Sequence, residues 1–512
     1  MTDPVTGVGK DDFHNRDFAA FFEDSWKARP NLTLNLGVRY DIQLIPQPPG
    51  PNTTTPLTTY YTSTINIDKN NFGPRIGLAW NLAKGTVFRA GYGIFYGKTT
   101  NSTYYAMRVE NGSYQRTYNC TPSGCPTLTF PNLIFVPPGP TPVAPFPGAL
   151  TPVVTPVTLS NNTATTRGMV PDWVNPLVHE GEASFERELP GNMSISASYI
   201  FSRALHLPTF VDANLKAPTT TKSYDITNTA GVTQSTITVP FYTARIDSTG
   251  GILAGYSDVN SWYNSMVVTF HKRMSHGVEF VANYTLSKAT DGGQVAGYGG
   301  TFSGTDYAFD PQNRKLEYGR SDLDQRQRFV GNVIWAPSYG KNLSNKTVRM
   351  VTSGWVFSGI VLMSTGQPIA SGSSATVGEF ISGFSSGGPD GGLTGGLVNN
   401  SGTGNGGRML GPRNLTTGPG IGNIDFRISK DFQLAERLKL SLTGDAFNLG
   451  NFTNFYTVNN TQYNFAAAGS SGACASHTNG CLVANPAFLA PLTSNNFFSG
   501  ARQLQVSGRL TF

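Results

Sequence analysis

The sequence predicts an all-β fold, an antiparallel transmembrane β-barrel with long loops at one rim and short turns at the other. Three observations predict it. Two-faced segments of about ten residues, the length of a tilted membrane-spanning strand, recur from end to end. The connections between them alternate strictly, short then long, as they do in outer-membrane barrels. Charged residues make up only 13% of the 512-residue chain, while aromatics reach 12% and glycine numbers 58. That composition suits strands with lipid on one side and a wet interior on the other, and it suits a long helical or disordered protein poorly.

The first element shows the pattern. Leu32, Leu34, Leu36, Val38 and Tyr40 alternate with Thr33, Asn35, Gly37, Arg39 and Asp41. Side chains change face at every residue of a strand, so this segment is greasy on one face and polar on the other; a helix would mix the two sets. Met193, Ile195, Ala197, Tyr199 and Phe201 against Ser194, Ser196, Ser198 and Ser202 repeat it. So do Val278, Phe280, Ala282, Tyr284 and Leu286 against Glu279, Asn283, Thr285 and Ser287, and Leu438, Leu440 and Leu442 against Lys439, Ser441 and Thr443.

On this basis strands are predicted at 17–27, 31–42, 73–82, 85–96, 175–188, 192–202, 262–274, 278–289, 324–337, 353–365, 421–432, 437–448 and 501–512, roughly 13 in all. Short connections fall at 28–30, 83–84, 189–191, 275–277, 338–352 and 433–436, most of them with the Gly or Pro that turns require. Long ones fall at 43–72, 97–174, 203–261, 290–323, 366–420 and 449–500. Antiparallel pairing of neighbours places every long loop on one rim. Trp26, Tyr40, Trp80, Tyr96, Trp262, Trp335 and Trp355 lie toward strand ends, where amphipathic rings suit the boundary between hydrocarbon and head groups.

The remaining features bound the function. The formal charge of +6 is mildly basic. It either has no consequence for partners or favours anionic lipid and solutes. No basic cluster interleaves with aromatics, so nucleic-acid binding is not expected. Residues 1–13 lack the basic and apolar regions of a secretory signal, and no apolar run is long enough for a transmembrane helix.

Cys120 and Cys125, and Cys474 and Cys481, form two close pairs in polar loops. They predict two local disulfides in an oxidising compartment, with four free thiols as the alternative. His271 and His276 are too oddly spaced, with a turn between them, to predict a metal site. Gly402, Gly404, Gly406 and Gly407 lack the following helix and Lys-Ser/Thr of a phosphate loop. The Pro-rich tract 131–156 favours extended polyproline-like chain. Asp322, Asp324, Arg326 and Arg328 stand at even spacing and are expected to share one face, as a lumen-side charge ladder or as a contact for a ligand or plug. No nucleophile elbow or Ser-His-Asp set is present, so neither an enzyme nor a cofactor is expected.

The wording of the strands is similar to that of one family. The segments FFEDSWKARPNLTLNLGVRYD (21–41), NNFGPRIGLAW (70–80), RAGYGIFY (89–96), YNSMVVTFHKRMSHGVEFVANYTLSKATD (263–291), SDLDQRQRFVGNVIW (321–335), GWVFSGIVLMSTGQPI (354–369) and RLKLSLTGDAFNLGNFTNF (437–455) resemble the C-terminal barrel portion of TonB-dependent outer-membrane receptors of the Oar-like group. The resemblance covers nearly every strand and little of the long loops. It implies a larger barrel of about 22 strands preceded by a signal peptide and a plug. Residues 1–16 then read as a lead-in at the start of a fragment and 17–512 as the C-terminal part of the barrel, with no plug or signal.

The resemblance further implies an outer-membrane location with extracellular loops, a periplasmic C-terminus, and a terminal Phe512 read by the barrel-assembly machinery. The expected partners are outer-membrane lipid, that machinery, a bulky solute, and the TonB system through a plug missing from this chain. A passive porin-like channel and a surface adhesin or scaffold are the alternatives.

Overall fold

The computed structural model describes residues 13–113, 166–293 apart from 242, 243, 248 and 250, 313–368 apart from 341, and 414–512 apart from 415, 436, 460–462, 467 and 495–499. The Cys120/Cys125 pair, the Pro-rich tract and the glycines at 402–407 lie outside the described residues.

The strands in chain order are β1 (Arg16–Arg29), β2 (Leu32–Leu44), β3 (Phe72–Ala83), β4 (Thr86–Tyr96), β5 (Thr166–Met169), β6 (Leu177–Leu189) and β7 (Met193–Asp212). There follow β8 (Thr220–Thr227), β9 (Thr233–Phe241), β10 (Ile252–Ser275), β11 (Val278–Asp291), β12 (Gly319–Arg320), β13 (Gln327–Trp335) and β14 (Trp355–Ser364). The last are β15 (Ile421–Gln433), β16 (Lys439–Phe447), β17 (Phe455–Val458), β18 (Tyr463–Ala466), β19 (Gly480–Ala484), β20 (Pro491–Ser494) and β21 (Gln503–Thr511). Three short helices accompany them: α1 (Pro56–Thr62), α2 (Asn101–Val109) and α3 (Lys346–Thr352). None is long and apolar enough to cross a membrane.

One 15-stranded sheet dominates. Two members, β5 and β12, pair at its margin, which leaves thirteen in a continuous path from β1 to β21. These are the thirteen strands read from the alternation. Each pairs antiparallel with the next wall strand in the chain, so the long connections all leave and re-enter the wall at one rim and the short ones at the other.

Register is what gives the wall two faces, because a slip of one residue would reverse every side chain. One row runs Leu34, Leu78, Ala90, Ala183, Tyr199, Met266, Leu286 through seven consecutive strands. Another runs Phe280, Val333, Gly359, Phe426, Ala446, Leu504. The opposite face carries runs such as Arg89, Ser184, Ser198, then Ser196, Thr269, Asn283, then Arg427, Asp445, Gln505. Exposed Phe22, Val38, Ile76, Met363, Leu442 and Val506 belong to the apolar face. So many large exposed apolar side chains on a single surface is what lipid requires and water penalises. Asp24 is an exception, standing on the apolar face opposite Leu36.

The aromatic rings sort into two belts on that face. Near the short turns are Trp26, Trp80, and the stack of Trp335 and Trp355 on Phe357, with centroids 5.1 and 6.2 Å apart. Near the long loops are Tyr40 on Phe72 at 4.7 Å and Trp262 on Tyr318 at 5.5 Å. Polar groups caught between the belts satisfy one another: the Tyr199 hydroxyl donates to Asn264 Oδ1 at 2.6 Å, and Tyr92 Oη meets His179 Nδ1 at 2.6 Å.

The short turns explain several residues. His276 (φ 52°) and Gly277 (φ 77°) together make the turn between β10 and β11. His is among the few non-glycine residues that tolerate this left-handed region. A Cβ at Gly277 would lie 2.3 Å from the Ala336 carbonyl oxygen, so that position admits only glycine. The connection 338–352, read as a plain turn, contains α3, capped by Asn345 Oδ1 on the amides of Thr347 and Val348.

Two strands run further than expected. β7 continues to Asp212 and β10 begins at Ile252, against expected limits of 202 and 262. The extension pays for itself by burial: Phe210, Val211, Ile252, Leu253 and Ala254 are each under 4% exposed, in a core above the wall.

Candidate functional site

Two regions could handle a solute: the polar face of the wall and the mouth built by the long loops. Wall charges are set by strand alternation and largely pair along and across strands. Arg39 Nε donates to Asp41 Oδ2 at 2.8 Å, two residues along β2. Arg89 meets Glu186 across β4 and β6 at 3.0 Å, Arg427 meets Asp445 across β15 and β16 at 2.5 Å, and Lys439 meets Asp431 at 2.7 Å. Between β3, β4 and β6 a concavity of about 670 Å³ is lined by Arg75, Arg89, Glu180, Glu182 and Phe95 with Gly77, Gly91 and Gly93. The guanidinium of Arg75 lies 4.7 Å from the centre of the Phe95 ring, over glycines that leave it room. This arrangement presents guanidinium and carboxylate groups beside an aromatic ring to the open face of the wall.

The mouth has a core that the wall lacks. Loops 43–72, 97–174 and 203–261 meet around Ile45, Tyr61, Ile65, Tyr104, Met107, Met169, Trp173 and Ile252. α1 is a short threonine-capped helix: Thr55 Oγ1 accepts from the amide of Thr58, and the Thr58 hydroxyl accepts from the amide of Thr55. Trp173 Nε1 donates to Thr99 Oγ1 at 3.1 Å, and Asn66 Nδ2 to the Trp173 carbonyl at 2.8 Å.

Two ion pairs are buried in this cap. Arg245 meets Asp212 at 2.8 Å, and Arg167 meets Glu110. Burial pushes the Glu110 carboxyl up from its ordinary value, and Arg167 opposes it. Burial likewise pushes the Tyr104 phenol up to about 12. Asp247 accepts from Thr55 Oγ1 at 2.6 Å and Asn214 Nδ2 at 3.1 Å, tying loop 43–72 to loop 203–261. Burial would raise its pKa, but these bonds and those from Thr249 outweigh that and hold it below the usual carboxylate range.

The charge group at 322–328 differs from the expected ladder. β13 begins at Gln327, so only Arg328 is on a strand, and Asp322 and Asp324 are in the preceding turn. Even spacing confers a common face only where the chain is extended. Asp324 is fully buried between Arg320 at 3.0 Å and Arg326 at 3.4 Å and accepts from the Ala289 amide at 2.7 Å. Asp322 instead accepts from Asn414 Nδ2, from the loop before β15. Asp324 therefore fastens the turn to β11, while Arg328 stands apart on β13, opposite Thr285 and Ser364.

Cys474 and Cys481 are joined in a disulfide, and both are fully buried. Phe512 is 94% exposed. It directly follows Thr511, which pairs with Lys439, so the C-terminus lies at the short-turn rim. Among the described residues no group of three or more His, Cys, Asp or Glu could hold a metal ion.

A second sheet, of order β18-β19-β8-β9, is absent from the sequence reading. It joins two different long loops. Cys474 and Cys481 bracket His477, and that bracketing was a usable signal. Its partner Asp225, 252 residues away, gave none.

With a two-faced antiparallel wall and a loop-built mouth in place, the profile of the outer membrane β-barrel domain matches residues 3–480. The chain belongs to that family. The family places this barrel in the outer membrane. Among curated proteins none matches it. Of solved structures, the ferric enterobactin receptor of Pseudomonas aeruginosa, in a mutant form, is similar to it over 97% of this barrel and 45% of that chain, at 11% identity and a TM-score of 0.45. The outer membrane transporter YddB from Escherichia coli gives the same four values. The siderophore receptor PirA from Pseudomonas aeruginosa is similar over 86% of this barrel and 46% of that chain, at 11% identity and a TM-score of 0.35. The barrel thus spans less than half the length of each.

Proposed function

We propose that this barrel is the solute-binding and translocating wall of an outer-membrane receptor of the TonB-dependent, Oar-like type. The observation that carries the reading is the register: it keeps one face predominantly apolar and the other predominantly polar across the thirteen-strand wall, with the long loops leaving it at one rim. The long loops face outward and first meet the solute. The polar face, with paired charges and the recess beside Arg75, Arg89, Glu180 and Glu182, forms the path. Phe512, at the rim of short turns, is periplasmic and serves assembly.

Energy reaches the complete receptor from the inner membrane through a plug domain, and the protein binds and gates without making or breaking covalent bonds. The test is uptake by cells carrying the complete gene product, with and without a functional TonB system. Uptake that requires TonB supports the reading. Uptake that persists without it, together with steady conductance in planar bilayers, overturns the coupled mechanism in favour of a passive channel.

A further inference from the structure

β8 and β9 lie in the loop between β7 and β10, whereas β18 and β19 lie in the loop between β16 and β21. β19 nevertheless pairs in parallel with β8, Gly480 with Tyr224 through Val483 with Thr227. In the wall, β10 and β16 are five strand steps apart, roughly 24 Å of arc at the ~4.8 Å spacing of neighbouring strands. The two loops therefore bridge that arc above the long-loop rim.

The bridge has a latch. The disulfide Cys474–Cys481 closes a turn that carries His477. Its Nδ1 is 2.8 Å from Asp225 Oδ2 on β8, and its Nε2 is 3.0 Å from the carbonyl oxygen of Gly231 in the β8–β9 turn. A carboxylate and a carbonyl only accept hydrogen bonds. Both bonds exist at once only if both ring nitrogens carry hydrogen, which makes the ring an imidazolium. The contact is close-fitted: a Cβ on Gly231, itself at φ +81°, would lie 2.6 Å from the Ala473 carbonyl oxygen. It is also sheltered, with the His477 and Asp225 side chains 11% and 12% exposed.

We infer that these four strands form a clasp over the mouth, latched by the His477 imidazolium between Asp225 and Gly231, which releases when the ring loses its proton. The groups around the latch leave the ring as its switch. Asp225 also accepts from Thr236 Oγ1 on β9 at 2.8 Å and from Asn479 Nδ2 at 3.2 Å, so it stays ionised and held in place without the ring. Tyr224 on β8 and Tyr463 on β18 are the other titratable side chains described on these strands, and burial raises both phenols, so they stay neutral.

The hydrogen bonds to Asp225 and Gly231 raise the ring's pKa, and that to His477 lowers the carboxylate's. The histidine contribution is then complete below the unfolded value of about 6.5 and fades as pH rises through the raised one. The aspartate contribution is complete above about 3.9 and fades as pH falls through the lowered one. The clasp holds in weak acid and loosens as pH rises through the ring's raised pKa.

The latch can be read without knowing the solute. Hydrogen exchange of the full chain in lipid vesicles, corrected for intrinsic rates, is followed at the β8 and β19 amides between about pH 5 and about pH 8.5. Protection should fall by about tenfold for each unit by which the latch raises the ring pKa. His477→Gln, which cannot become charged, should remove the pH dependence, and Gly231→Ala should give the released level throughout. The wall amides of β3 and β4 report in the same experiment whether each variant still folds. Equal protection at all pH values in the wild type, or an unchanged profile in His477→Gln with the wall intact, would overturn the latch. Neither outcome touches the transport reading, which the TonB experiment decides separately.

Discussion

Ile76 is the most telling place to perturb the wall. It is 50% exposed on the apolar face of β3, paired with Leu36 and Tyr92. Phe72 of the long-loop belt and Trp80 of the short-turn belt flank it, each four residues away. At about 3.4 Å per residue each belt is roughly 14 Å distant along the strand, which places Ile76 close to the middle of the apolar band. Ile76→Arg should cost about 2–4 kcal/mol, the penalty for a guanidinium at the bilayer midplane.

The matched control is Asn35→Arg, at the same depth on the other face, where Asn35 pairs with Gly77. In a wet lumen it should cost under about 1 kcal/mol, the usual range for an exposed substitution. The assay is reversible denaturant unfolding in lipid vesicles, read by tryptophan fluorescence. Equal costs, or a larger cost for Asn35→Arg, would refute the assignment of faces.

The remaining predictions probe the other regions. Asp324→Ala should release turn 321–326 from β11 at a cost on the order of 2 kcal/mol, below the ~3–5 kcal/mol of a fully buried pair because Arg320 and Arg326 are partly in water; hydrogen exchange at Ala289 reports it. Trp173→Ala should cost the mouth about 3–5 kcal/mol of local stability, since the ring is 2% exposed in the cap core. Limited proteolysis should then cut loops 43–72 and 203–261 while the wall stays resistant. Phe512→Ala should leave stability in detergent unchanged, because the ring is almost fully in solvent, yet lower the fraction recovered in outer membranes; unchanged recovery would deny it an assembly role.

The wall was legible because its physics is local. A strand such as Leu32–Leu44 announces both faces within a dozen residues, and turns such as His276-Gly277 mark where it reverses. The mouth was not legible, because its physics is distant. α1 has no apolar repeat and is held by Thr55 and Thr58, without the acidic partner that usually marks a capping box. β8 and β19 are short, and each acquires a partner only through another loop. Asp324 and its neighbours have the charges of a ladder but not its geometry, since even spacing gives a common face only to an extended chain and the structure turns at 321–326. The extensions of β7 and β10 are not legible because Phe210 and Val211 are adjacent apolar residues that both become buried, which breaks the alternation that identifies a two-faced strand.

The most direct measurement is spin-label accessibility along β3, one label at a time from residue 74 to residue 80, to a lipid-soluble and a water-soluble relaxant. Labels at 74, 76 and 78 should respond to the lipid-phase relaxant and those at 75, 77 and 79 to the aqueous one, with a period of two. Uniform response along the strand, or positions 74, 76 and 78 shielded from both relaxants, would contradict a wall that faces lipid on one side and water on the other.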